Sequence, residues 1–196
     1  MRFLACIAGV TLRAGAIGID LGYGTGHVAM VFARLGLRMK ASEYGEQAVK
    51  IVKSCNPQLE IEEIDMATFR RAEAFDLVFA REVYLFTRVN AYEQQAQVVS
   101  NVVDSLRPGG VFLLVGSDVS YPNCLEHDRI IDEFRRDSTI ARVTDKYYEA
   151  VLKHFRPLIF GRASYQIVAL LLAPLIAFRK QFRGWASIYV IAFVKR

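Results

Sequence analysis

Two spacings of apolar residues take turns along this chain. Short apolar runs, the mark of strands, are separated by stretches in which apolar residues recur every three or four positions, the mark of helices. Ile17–Leu21 is the first run, and Val28, Val31, Phe32 and Leu35 give the apolar side of the helix after it, with Thr25 as its N-cap. Leu37–Ser42 predicts a second strand. Gly45–Val52 predicts a second helix, with Ala48, Val49, Ile51 and Val52 inward and Pro57 beyond its end. Leu59–Ile64 alternates apolar residues with glutamate, as a strand near a sheet edge does, and Asp65 and Met66 stand at its end. Phe75–Ala80 has no polar interruption after Asp76, as expected of a strand buried on both faces of a parallel sheet. Val98, Val99, Val102, Val103 and Leu106 trace one face of a helix within Val89–Leu106. Leu106 to Gly110 then stops it, because Pro108 cannot continue a helix and glycine takes positive φ freely, and Val111–Gly116 follows as a strand.

The C-terminal third reads less regularly. A polar cluster of Ser117, Asp118, Tyr121, Glu126, His127 and Asp128 leads into a helix that begins near Cys124. Tyr147–His154 is expected as helix, Arg156–Ser164 as strand, and Ala186–Val194 as a final strand rich in β-branched and aromatic residues. Strand and helix in alternation predict an α/β fold in one domain, 1–196, with a lead-in over 1–15 and an apolar insert over 165–184.

The loop between the first strand and helix carries the chemistry. Asp20 closes the strand, and Gly22, Gly24 and Gly26 follow at alternate positions with Tyr23 among them. One glycine lets the backbone turn, one lets a ligand come close, and one lets helix pack on strand. A dinucleotide fingerprint would place its third glycine at position 27, where this chain has His27. Glu43 ends the second strand at the distance from the glycines at which an acid accepts ribose hydroxyls. NAD-binding proteins use the same device, so Glu43 points to a nucleoside without choosing the cofactor. Tyr44 can lie against adenine or cover the next helix, and Asp65 can cap a turn.

The pattern D-x-G-x-G-x-G, the Leu106–Gly110 turn into an apolar strand, and Asp76 before the central run resemble the class I S-adenosylmethionine-dependent methyltransferases. The resemblance runs from about Ile17 to the end. It implies a Rossmann-like three-layer α/β/α sandwich whose seven-stranded, mostly parallel sheet receives its last strand antiparallel between the fifth and sixth. It also implies S-adenosyl-L-methionine as cofactor, held by Asp20, Gly22, Tyr23, Gly24, Gly26, Glu43, Tyr44, Asp65, Met66 and Arg81. In that family the acid corresponding to Asp65 takes the adenine amino group and the residue after it offers its backbone amide. The strand end from Arg81 to Phe86 borders sulfonium and acceptor. Methyltransferases of base amino groups often carry an Asn or Asp, two prolines and an aromatic there, and this chain has none of these.

Composition narrows the picture further. At 53% hydrophobic and 23% charged, the 196 residues can bury a sizeable core. The net charge of +5 comes from scattered basic residues, with only pairs at Arg70–Arg71 and Arg135–Arg136, so a solvated basic surface is favoured over a nucleic-acid partner. Cys6, Cys55 and Cys124 match no metal or disulfide spacing and suit a reducing cytoplasm. A signal peptide ending near Gly15 or Ala16 would cut into the approach to the first strand, so Met1–Val10 is read as part of the domain. Gln166–Phe178 is too short to span a bilayer; it can be a buried or self-associating helix, a lid over a lipid-like acceptor, or, with the basic residues to 183, a membrane-surface anchor.

The expected activity is methyl transfer to a small-molecule, glycan or lipid-linked acceptor through a hydroxyl or carboxyl. Glu82 is the first candidate to steer or deprotonate the acceptor, against a salt bridge to Arg81 or Arg88. His127 is the second, against a plain surface histidine. A non-catalytic cofactor-binding subunit and a nicotinamide-dependent oxidoreductase are the alternatives, with an aminopropyltransferase as a minor third.

Overall fold

The computed structural model describes residues 8–22, 24, 27–117, 127–149 and 187–196. Seven strands, β1 (Ile17–Leu21), β2 (Arg38–Glu43), β3 (Glu60–Glu63), β4 (Phe75–Arg81), β5 (Leu106–Ser117), β6 (Ile140–Glu149) and β7 (Ser187–Lys195), form one sheet in the order β3-β2-β1-β4-β5-β7-β6. The first five pair in parallel, and β7 runs antiparallel to both β5 and β6. The resemblance implied this α/β architecture and the insertion of the last strand. Because the chain winds outward from β1 through β2 to β3 and then returns to β4, the strand order reverses between β1 and β4. Crevices open at such reversals, beyond the carboxyl ends of the strands.

Both faces of the centre of the sheet are buried, and alternate residues of β4 show why its sequence is unbroken. Leu77 and Phe79 pack with α1 (His27–Arg34) and α2 (Glu46–Cys55), while Val78 and Ala80 face α4 (Tyr92–Ser105) and α5 (His127–Arg136). A short helix, α3 (Tyr84–Thr87), lies between β4 and α4. Phe32 of α1 meets Phe79 edge-on with 5.6 Å between ring centroids, which fixes the helix behind the glycine loop over the centre of the sheet.

The contact stripes of α1 and α2 are narrower than their apolar content suggests. Ala29 and Phe32, and then Val49 and Val52, are buried, whereas Val31, Leu35 and Ile51 are more than half exposed. Successive helical residues turn by about 100°, so Val31 and Ile51 point away once their neighbours Phe32 and Val52 face the sheet.

The C-terminal third departs most from expectation. Tyr147–Glu149 belongs to β6, not to a helix, and the sixth strand is Ile140–Glu149. That segment has no clean period of its own and becomes strand by pairing with β7, from Ile140 opposite Lys195 to Glu149 opposite Ser187. The expected strand Arg156–Ser164, the apolar insert Gln166–Phe178 and His154 lie outside the described residues. The Leu106–Gly110 turn is absorbed into the start of β5, where Gly109 takes φ +76° and the register with β4 shifts between Phe75 and Leu77. Among the described residues no helix is long and apolar enough to cross a membrane.

No helix lies between β3 and β4, and one face of the β2–β3 edge is polar in consequence. Lys40 pairs with Glu60 and Glu62, and Arg71 with Glu62. The Arg71 guanidinium holds the Glu62 carboxyl below its usual range. The glutamates that alternate along β3 therefore occupy the uncovered face.

Candidate functional site

The tips of β1, β2, β3 and β4 surround two adjoining clefts at the strand reversal. The larger, about 660 Å³, is lined by Leu21, Gly22, Ser42, Glu43, Tyr44, Ile64 to Ala67, and Arg81 to Leu85. Its neighbour, about 210 Å³, is lined by Asp20, Gly22, Gly24, Val28, Phe79, Arg81 and Glu82. Gly22, Arg81 and Glu82 belong to both, so one extended ligand can occupy the pair.

Asp20 sits at the floor of the smaller cleft, 2% exposed. Burial pushes its carboxyl up to about 7, against the Ala29 backbone N–H it accepts and the charge of Arg81, while Glu43 adds to the rise. An acid in this condition is a strong site for a ligand cation, since an ammonium would supply the countercharge that burial denies it. Arg81 and Glu82 make no ion pair among the described residues, so the alternative reading of Glu82, a salt bridge to Arg81 or Arg88, is not what the structure shows. Glu82 instead has a left-handed backbone, φ +50°, and its N–H donates to the Val115 carbonyl at 2.8 Å. A non-glycine residue held there is strained, and such strain concentrates where a side chain must be aimed.

Among the described residues the glycine loop is tied to β2 at two points. The Gly22 N–H donates to the Ser42 carbonyl at 3.1 Å, continuing the parallel ladder, and the Gly24 N–H donates to the Glu43 carboxylate. Both glycines have positive φ, +73° and +53°, which L side chains rarely adopt. A Cβ at Gly24 would meet none of the described residues within 4 Å, which leaves room on that side for a ligand among them. Tyr44 is 76% exposed at the rim of the larger cleft and does not cover the following helix. Asp65 uses Oδ1 to accept the Ala67 N–H at 2.9 Å, which makes it a turn former as well as a cleft residue, and Met66 is buried beside it.

The structure thus brings together Asp20, Gly22, Gly24, Glu43, Tyr44, Asp65, Met66, Arg81 and Glu82. Tyr23, Thr25 and Gly26 lie outside the described residues, as do Cys6 and Cys124; Cys55 is exposed. His127 opens α5, and its side chain is likewise outside the description. Sequence reasoning includes Val83 and Tyr84 only as part of the strand end Arg81–Phe86, with no role of their own, and passes over Ser42 as a site residue. Tyr84, 62% exposed, lines the same cleft as Tyr44 and carried one usable signal: a large aromatic just past the end of a central parallel strand.

Residues 19–114 match the family model described as "Methyltransferase domain". No curated protein matches the sequence. Solved structures share the fold at low identity. The [4+2]-cyclase SpnF is 15% identical with a TM-score of 0.62, over 99% of this chain and 80% of its own. Phosphoethanolamine N-methyltransferase 2 of Haemonchus contortus, in complex with S-adenosyl-L-methionine, is 16% identical with a TM-score of 0.63; the match covers 99% of this chain and 51% of that one, so this chain spans about half its length. A TehB-like SAM-dependent methyltransferase from Corynebacterium glutamicum is 13% identical with a TM-score of 0.60, over 94% of this chain and 83% of its own. The matched segment, 96 of the 196 residues, contains the glycine loop and all four strand tips of the site, so in sequence and in strand order the chain is similar to S-adenosylmethionine-dependent methyltransferase domains.

Proposed function

We propose that this protein transfers a methyl group from S-adenosyl-L-methionine to a hydroxyl or carboxyl of a small-molecule, glycan or lipid-linked acceptor. The observation that carries the cofactor half is the paired cleft, whose two parts differ in chemistry as the two ends of that cofactor do. The larger part offers Tyr44 and Met66 to a base and Glu43 to a ribose, with the Asp65 carboxylate near the base edge. The smaller part offers the buried Asp20 to an ammonium and the Arg81 guanidinium to a carboxylate. The likeness to a cyclase means that the fold alone does not choose methyl transfer; the family match over 19–114 supports it.

Bound there, the cofactor supplies a methyl carbon already activated by its sulfonium. The protein's part is then to align the acceptor, exclude water and, for a hydroxyl, take its proton. Glu82 is the group best placed to do so, at the junction of the clefts and free of an ion pair among the described residues. His127 is kept as the second candidate. The acceptor class rests on the missing base-methylation motif and the apolar segment Gln166–Phe178, which also motivates a cytoplasmic enzyme touching a membrane surface through 166–183.

Calorimetry with S-adenosylhomocysteine and with NADH tests the cofactor: binding of the first alone is expected, and binding of NADH alone would overturn the assignment. Labelled S-adenosylmethionine with cell-extract fractions then tests the acceptor. Methylation of RNA without any small acceptor or lipid-linked glycan would sink that half. Binding without turnover across all fractions would instead favour a non-catalytic subunit.

A further inference from the structure

Glu43 is expected to receive ribose, yet its carboxylate already accepts two backbone N–H groups. One oxygen accepts the Gly24 N–H, across nineteen positions of sequence, and the other accepts its neighbour Tyr44's N–H at 3.3 Å. Gly24 takes φ +53°, and among the described residues no heavy atom lies within 4 Å of where a Cβ would stand, so none of their side chains packs against that position. The backbone hydrogen bond from Gly22 to Ser42 secures the start of the loop. Two residues further on, the tie passes from backbone to side chain. A carboxylate oxygen has two acceptor sites, so each Glu43 oxygen can keep its present donor and still take a ribose hydroxyl.

We infer that Glu43 is a positioning residue for the glycine loop: it sets the Gly24 turn before ligand arrives and, by sharing one carboxylate between Gly24 and the nucleoside, couples the two halves of the cofactor site. Its coupling half rests on the cofactor reading above; the positioning half does not. Gly24 borders the smaller cleft and Glu43 the larger, so this hydrogen bond is a direct physical link between them. A donor drawn to the shared carboxylate from either side changes the charge density available to the other. Glutamine keeps an acceptor oxygen at the same reach, whereas alanine removes the link.

Amide hydrogen exchange on the ligand-free protein, followed by NMR, tests this with Gly22 as internal control. In wild type and Glu43→Gln the Gly24 amide should be protected and shifted as a hydrogen-bonded donor. In Glu43→Ala its exchange should speed up by roughly ten- to a hundredfold, the size expected for a lost bond to a charged acceptor, while Gly22 stays protected. If Glu43→Ala disturbs the whole sheet, Gly22 will lose protection too, and the wild-type and Gln spectra then decide. An unprotected Gly24 amide in wild type, or equal protection in the Ala variant, overturns the inference. Affinity for S-adenosylhomocysteine separates the two ideas: a wild-type value in Glu43→Ala with Gly24 unprotected ends the ribose role and the coupling, and leaves the positioning role standing.

Discussion

Asp20 and Asp76 stand at opposite ends of neighbouring parallel strands and show how differently the two ends of this sheet treat a carboxylate. At the lower end, Asp76 accepts the Ile17 N–H at 2.7 Å and pairs with Arg107 at 3.2 Å, so it staples the start of β1 to the start of β4 and to the start of β5. Around it Lys195 donates to the Asp104 and Leu106 carbonyls at the end of α4 and lies 3.7 Å from Glu73. At the upper end Asp20 is more deeply buried, with the Ala29 N–H as its one backbone donor among the described residues. Arg81 and Glu82 nearby have no ion pair among the described residues. Polar groups at the lower end are spent on each other. Those at the upper end are held available, which is costly for the folded chain and is how a site for a charged ligand is kept ready.

The sharpest way to break the upper end is Gly24→Asp. It forces a side chain into the left-handed turn, fills the space open to ligand and adds a negative charge beside Glu43, so S-adenosylhomocysteine binding should fall below calorimetric detection with the fold retained by circular dichroism. Next in size is Asp20→Asn. The unfolded carboxyl gives up its proton near 3.8 and the folded one near 7, so between those values the unfolded state binds fewer protons and stability falls as pH rises. The contribution of Asp20 is complete below the first value and gone above the second. Denaturant titrations from pH 4 to 8 should show this decline, up to roughly 4 kcal/mol, and the Asn variant should lose it. A flat wild-type profile would show that Asp20 ionises as it does in the unfolded chain.

Glu43→Ala should weaken cofactor binding by about 1.5 to 3 kcal/mol, measured by calorimetry against unchanged folding stability. Asp76→Ala should do the reverse: lower stability by about 1 to 3 kcal/mol through the orphaned Ile17 N–H, with cofactor affinity kept. Were Asp76→Ala to abolish binding while leaving stability intact, the division between the two ends would collapse. The smallest effect belongs to neither end. Lys40→Met on the polar β2–β3 edge should change stability by less than about 1 kcal/mol, since its ion pairs are solvent-exposed.

Apart from the short helix Tyr84–Thr87 and the start of β5 at Leu106, most of the strands and helices from Ile17 to Val115 were legible in the sequence by itself, and so were the glycine loop and the acids near the ends of the first two strands. Each of these is a local signal: a period of two or three and a half, a residue that alone tolerates positive φ, a carboxylate at a fixed distance along the chain. Tertiary structure alone decided what depends on distant partners. Ile140–Glu149 is a strand because β7 runs beside it, Val31 and Ile51 are exposed because their neighbours reached the sheet first, and Glu43 holds Gly24 because two strand tips meet. The abnormal carboxyl of Asp20 is of the same kind, since its cause is the removal of water by elements folded over it, and no spacing of letters records that.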